Sequence, residues 1–182
     1  MSLAPRQGKH GACRFSSYLQ IHDTVLNHQV AGGFVSQHYL GPVEVLPNIG
    51  RVILSGYICC KGPIVIAFDK QLQVVGARLD GEPTVQTDMY AYNVTVQGSH
   101  TLFRWDNQHP HHLYPGHSDP HHKHEFDPKT GNELPNSPTW VGEQHWPTLG
   151  EVVEFVRQWH ADNYELLANP ELFAAPPARF GA

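Results

Sequence analysis

No stretch of the 182 residues approaches the roughly 20 consecutive apolar positions that span a bilayer, and the opening MSLAPRQGKHGACRF has no apolar signal core. The expectation is a soluble, cytoplasmic chain with no membrane partner. Positive charge is scarce as well. Twelve Lys and Arg face 17 Asp and Glu, a formal charge of -5, so a broad electrostatic grip on a phosphate backbone is missing and any contact with nucleic acid has to be local. Three cysteines, Cys13, Cys59 and Cys60, are an odd number without ligand spacing, which excludes a disulfide framework and a zinc knuckle. There is no GxxxxGK[ST] phosphate cradle and no HxxxH pair in a segment that reads as helix.

What is present excludes other classes. Apolar residues make up 40% of the chain and aromatics 10%, enough for a packed core, whereas 16 Gly and 15 Pro are too many for a helical bundle or coiled coil. The length fits one domain. Phe15, Tyr18, Leu19, His22, Val25 and Leu26 recur at helical spacing, and Gly32-Gly33 would stop that helix, placed at about residues 15 to 30. From Phe34 the texture changes to β-branched and aromatic runs: FVSQHYL, VEVL, RVILSGYICC, PIVIAFD, LQVVGARL, TVQTDMYAYNVTV and HTLFRWD. Asp69-Lys70 and Gln97-Gly98 read as hairpin turns, so the runs form an antiparallel meander. Cys59 and Cys60 should then point to opposite faces of one strand.

Residues 107–147 hold much of the Pro and His and read as a long loop or an irregular return strand. The helix after them is well signalled, with Thr148 and Glu151 forming a capping box after Pro147 and with Val152, Val153, Phe155, Val156, Trp159 and Leu166 as its apolar face. The expected fold is α+β: an antiparallel meander flanked by an N-terminal and a C-terminal helix, as a single domain over residues 15–168. Residues 1–14 are expected to be loosely held, and residues 169–182 to form an extended tail.

Histidine carries the chemistry. There are 14, and eight of them (His100, His109, His111, His112, His117, His121, His122 and His124) lie between residues 100 and 124. Two adjacent imidazoles can act as acid and base near neutral pH, which suits RNA cleavage by its own 2'-hydroxyl, with Arg104 or Lys123 stabilising the phosphorane. The same rings can bind zinc, nickel or copper: His122 and His124 project from one face of an extended backbone, and Asp106 or Asp119 could complete the shell. The plain alternative is a solvated Pro- and His-rich tract. Arg104, Asp106 and Asn107 end a strand, where loops present catalytic groups, although Asp106-Asn107 is also ordinary turn chemistry. Tyr90, Tyr92, Trp105, Trp140, Trp146 and Trp159 suit either base stacking or the core. His22, His28, His38, His145 and His160 read as surface or capping side chains.

In order, Asp88-Met89-Tyr90-Ala91-Tyr92, Leu102-Phe103-Arg104-Trp105-Asp106-Asn107, His109-Pro110-His111-His112 and Pro120-His121-His122-Lys123-His124 resemble the TumE family of toxins from bacterial toxin-antitoxin systems. Trp105 stands where that family usually has tyrosine, the LYPGHSD spacer is longer, and residues 125–147 form an insertion. The resemblance implies a toxin directed at RNA or translation and held by a DNA-binding antitoxin, whose basic segment the acidic balance would suit. It carries the family motif onto Tyr90, Tyr92, Arg104, Asp106, Asn107, His111, His112, His121, His122, Lys123 and His124.

The resulting expectation is a metal-independent ribonuclease that needs no cofactor. His122 and His124 (or His112) are the acid-base pair, with His111 and His121 in the same cluster. Arg104 and Lys123 contact phosphate, Asp106 orients an imidazole, and Asn107, Tyr90, Tyr92 and Trp105 contact substrate. The alternative is a zinc- or nickel-binding protein, with His122, His124 and Asp106 as ligands, or a non-catalytic interaction protein of the same fold. A homodimer is left open. A phosphotransferase ranks last for want of a phosphate cradle.

Overall fold

The computed structural model describes residues 8–96, 100–107 and 121–168. A short strand, β1 (Cys13–Arg14), leads into helix α1 (Phe15–Ala31). Strands β2 (Val35–Leu40), β3 (Glu44–Leu46), β4 (Arg51–Cys60), β5 (Ile64–Ala77), β6 (Pro83–Val96), β7 (Thr101–Asp106), β8 (His122–Glu125) and β9 (Thr139–Trp140) follow. Helix α2 (Leu149–Asp162) and one further turn, α3 (Tyr164–Ala168), complete the order. The molecule is α+β, as the sequence implies. β4 to β9 form an antiparallel meander, β2 and β3 together pair along the outer edge of β4, and β1 pairs with the beginning of β6.

Both helices pack on one face of the sheet, because alternate residues of the long strands are apolar there. Val52, Leu54, Ile58 and Cys60 of β4, Ile64, Ile66, Phe68 and Leu72 of β5, and Tyr90, Tyr92, Val94 and Val96 of β6 are all buried. Cys60 is buried and Cys59 only partly so, as their opposite strand faces require. Leu26 of α1 and Val152, Val153 and Val156 of α2 close this core. Each large side chain so buried contributes about 1.5–3 kcal/mol before entropy is subtracted. The capping box of α2 is present: the Thr148 hydroxyl accepts from the Glu151 N–H at 3.3 Å, and the Thr148 N–H donates to the Glu151 carboxylate at 2.7 Å. Among the described residues no helix is long and apolar enough to cross a membrane.

Three expectations need correction, and one open alternative is resolved. Asp69 and Lys70 form no turn: β5 runs through them without a break, Asp69 opposite Ala91 and Lys70 opposite Tyr90. A charged pair inside an apolar run looks like a turn when its burial is invisible. His22 is not a surface residue; it is buried and its ring sits 5.1 Å from that of Phe68. Residues 8–14 are not loose, since His10 stacks on Trp146 at 3.3 Å and Lys9 pairs with Glu151 at 2.9 Å. Of the two readings of residues 107–147, the return strand is realised over His122–Glu125, paired with β7. The Gln97-Gly98 turn and the tail over 169–182 lie outside the described residues.

Candidate functional site

The register between β7 and β8 sets Arg104 opposite His124 and Asp106 opposite His122. Paired residues share a sheet face, so these four side chains gather on the face away from the helices. Asp106 is the centre. Its Oδ2 forms an ion pair with Arg104 Nε at 2.7 Å, its Oδ1 lies 3.3 Å from His122 Nε2, and it is fully buried. A carboxylate removed from water needs such partners to stay charged. His122 is buried beside it, and its ring meets that of His124 edge-on at 4.8 Å.

A second carboxylate completes the group. Glu133 Oε1 lies 2.5 Å from His124 Nδ1 and also accepts from the Ser137 hydroxyl at 2.6 Å. Burial works to raise the Glu133 carboxyl, but the Ser137 hydroxyl and the His124 ring outweigh it and hold the group below the ordinary carboxylate range. The arrangement is two carboxylate-imidazole pairs side by side, with the Arg104 guanidinium, 40% exposed, at the solvent edge. Sequence reasoning missed Glu133 and Ser137. The available signal was the run Asp127-Pro128-Lys129-Thr130-Gly131, a turn that brings the chain back so that Glu133 bridges to Phe126. Asp127 accepts from the N–H groups of Lys129 and Thr130, and Gly131 takes φ 71°.

The other expected residues go elsewhere. Lys123 points to the helix face, where its Nζ lies 4.1 Å from the centre of the Phe155 ring, 5.1 Å from Phe103 and 5.2 Å from Trp105, and pairs with Glu125. The sheet therefore separates it from Arg104. Tyr90, Tyr92 and Trp105 are core residues on that same helix face. His121 is buried there too, stacked 5.3 Å from Trp146, with Nδ1 3.3 Å from the Tyr90 hydroxyl. Asn107 extends the ladder: its Oδ1 accepts from the Tyr90 N–H and its Nδ2 donates to the Asp88 carbonyl, both at 2.9 Å. His111 and His112 lie outside the described residues. Trp140, by contrast, is on the site face opposite His122, with ring centres 5.9 Å apart, and is 42% exposed.

Asp106, His122 and His124 also form the candidate metal group, their ligand atoms lying within 4.8 Å of one another. Ligands about 2.0–2.1 Å from a tetrahedral zinc would have to draw closer together than that. The guanidinium already beside Asp106 competes with a cation for that carboxylate.

Fold and face define an α+β protein with an acid-base cluster on the sheet face opposite the helices. The family model for Toxin TumE matches residues 65–160, from β5 into α2, which is more than half of the chain. The chain belongs to the TumE toxin family, and that membership gives it a toxin role and an antitoxin as its partner. No curated protein matches the chain, and no solved structure does.

Proposed function

We propose that the toxin arrests translation by cutting RNA without a metal ion, at the cluster of Arg104, Asp106, His122 and His124. The observation that carries this reading is the pair of imidazoles 4.8 Å apart, each held by its own carboxylate, beside a part-exposed guanidinium. One imidazole takes the proton of a ribose 2'-hydroxyl as that oxygen attacks the adjacent phosphorus. The other gives a proton to the departing 5'-oxygen, leaving a 2',3'-cyclic phosphate and a 5'-hydroxyl. Arg104 stabilises the charge that develops on the phosphorane oxygens. Asp106 fixes the tautomer and angle of His122, and Glu133 does the same for His124. His112 is the alternative second ring. Phosphate contact rests on Arg104 rather than Lys123, and Trp140 is the base-stacking surface rather than Trp105 or the two tyrosines. The antitoxin would be a DNA-binding protein that covers this face.

The test is incubation of total RNA with purified protein in EDTA, beside a His122→Ala, His124→Gln double variant of matched circular dichroism. Cleavage by the parent alone, leaving cyclic phosphate ends, is expected. Absence of cleavage by the parent in EDTA overturns the metal-free reading. The second reading, a zinc- or nickel-dependent site on Asp106, His122 and His124, has the proximity of those ligand atoms in its favour. It requires that EDTA abolish activity and that zinc or nickel restore it.

A further inference from the structure

On the opposite face of the sheet, beneath α1, lies a cavity of about 530 Å³. Its floor is β5 and β6, its walls are α1 and the first residues of α2, and its roof is the segment Gly8 to Cys13. That size falls in the usual range for small-molecule sites. The groups facing it are unusual for a core. Lys70, 6% exposed, projects from mid-strand and donates to the Tyr18 hydroxyl at 3.1 Å, which in turn lies 3.0 Å from Thr87 Oγ1. Among the described residues no carboxylate lies within 4 Å of the Lys70 ammonium. The Tyr92 hydroxyl is buried beside Lys70 at the same cavity, and His22 Nε2 is buried there without a hydrogen-bond partner. Apolar surface from Ile21, Val25 and Leu149 completes the lining.

A buried cation with only phenol oxygens for neighbours and no counter-ion is costly, and beside a void it is what an anionic ligand would satisfy. We propose that this cavity binds a small organic monocarboxylate with an apolar body: the carboxylate meets Lys70, Tyr92 and Thr87, and the body lies against α1. Lys9 also lines the cavity but is paired with Glu151, so Lys70 is the buried cation left to a ligand, which suits a single negative charge better than a phosphate dianion. Burial works against the Lys70 charge, but the phenol oxygens of Tyr92 and Tyr18 beside it outweigh that and leave its pKa raised, so the ammonium is present at neutral pH. Burial, with Lys70 and His38 adding to it, lowers His22 to about 3, so its ring is neutral and adds no second charge. The roof rests on Lys9 paired with Glu151, on His10 stacked on the buried Trp146, and on the pairing of Cys13 with Val85, so ligand entry requires its first residues to lift. That roof and α1 lie outside residues 65–160, so the site is built largely from parts that the family match does not cover.

The test is a titration of the full chain with benzoate and with decanoate, against benzamide, decanol and inorganic phosphate, read by calorimetry. A second reading uses the rate of Cys13 alkylation in a Cys59→Ser background, because Cys13 lines the cavity and Cys60 is buried. At least one carboxylate should bind and slow Cys13 alkylation, while the neutral counterparts and phosphate do neither. Lys70→Met should weaken carboxylate binding about tenfold or more, the effect of losing one charge-assisted hydrogen bond. If Lys70→Met does not fold, Tyr92→Phe, which removes only the hydroxyl, should weaken binding in the same direction. Failure of both carboxylates to bind or protect, equal protection by benzamide or decanol, or unchanged affinity in the folded variants overturns the site. None of these readings depends on toxin activity, so the ribonuclease reading can fail without affecting them.

Discussion

Asp106 is a buried carboxylate paired with Arg104 and set beside His122, and its energetics can be separated from its chemistry. Arg104→Met leaves that carboxylate without its guanidinium, and with Arg104 part-exposed and His122 still in place this should cost about 1–3 kcal/mol. Adding Asp106→Asn removes the stranded charge, so the double variant should be more stable than Arg104→Met alone; denaturant melts of the four proteins test this, and strict additivity would contradict it. His22 gives a pH prediction. Its folded pKa, about 3, lies below the ordinary 6.5, so the unfolded chain takes up a proton that the folded chain refuses. Its contribution is fully favourable above pH 6.5 and is lost by about 1.4 kcal/mol per pH unit as pH falls from there toward 3. A His22→Leu variant should therefore lose less stability than the parent between pH 6.5 and 4.5, measured by urea midpoints; parallel curves would contradict the burial argument. Residue types in the site were legible from Arg104 to His124 because chemistry shows in side-chain identity. Which face each occupies was not: His122 and Lys123 are neighbours in sequence, and only the register on β7 sends one to Asp106 and the other to Phe155.

The elements were the most readable layer, since α1, β4, β6, β7 and α2 carry strong periodicity or caps and lie close to where the sequence puts them. β5 was misread as two strands because Asp69-Lys70 mimics a turn, and the same misreading hid the one lysine that the core buries. β8 and the return through Glu133 were obscured by composition, because a four-residue strand of His-Lys-His-Glu has no apolar alternation to reveal it. Two substitutions test the elements. Thr148→Ala removes the hydroxyl that accepts from the Glu151 N–H and should cost about 1 kcal/mol in thermal or chemical unfolding, whereas no loss would mean the cap is idle. Gly56→Ala should be far worse. A Cβ there would sit 2.2 Å from the Tyr39 carbonyl oxygen and 2.5 Å from the Phe68 ring, so β2 cannot stay paired with β4 unless the backbone moves. Amide exchange over residues 35–40 should rise in that variant, and an unchanged exchange pattern would show that the sheet edge absorbs the methyl.

For the whole molecule, one sheet separates two chemistries. The helix side holds the core, the aromatic seat of Lys123 and the cavity over Lys70; the opposite side holds Arg104, Asp106, His122, His124 and the exposed Trp140. On the proposed reading, this division would let a chain of net negative charge contact RNA through a few local groups instead of a basic surface. It also fixes what should happen when either side is altered. Loss of the stacking surface in Trp140→Ala should weaken RNA binding by about 1–3 kcal/mol, read by fluorescence anisotropy with a single-stranded oligomer, and an unchanged affinity would remove Trp140 from the site. The most direct test of the account is growth of cells expressing the toxin without its antitoxin, comparing an Arg104→Ala, His124→Gln variant with Lys123→Met at equal soluble levels. The account predicts that the first variant releases growth and the second still arrests it. Arrest by the first and release by the second would place toxicity on the helix side and contradict it.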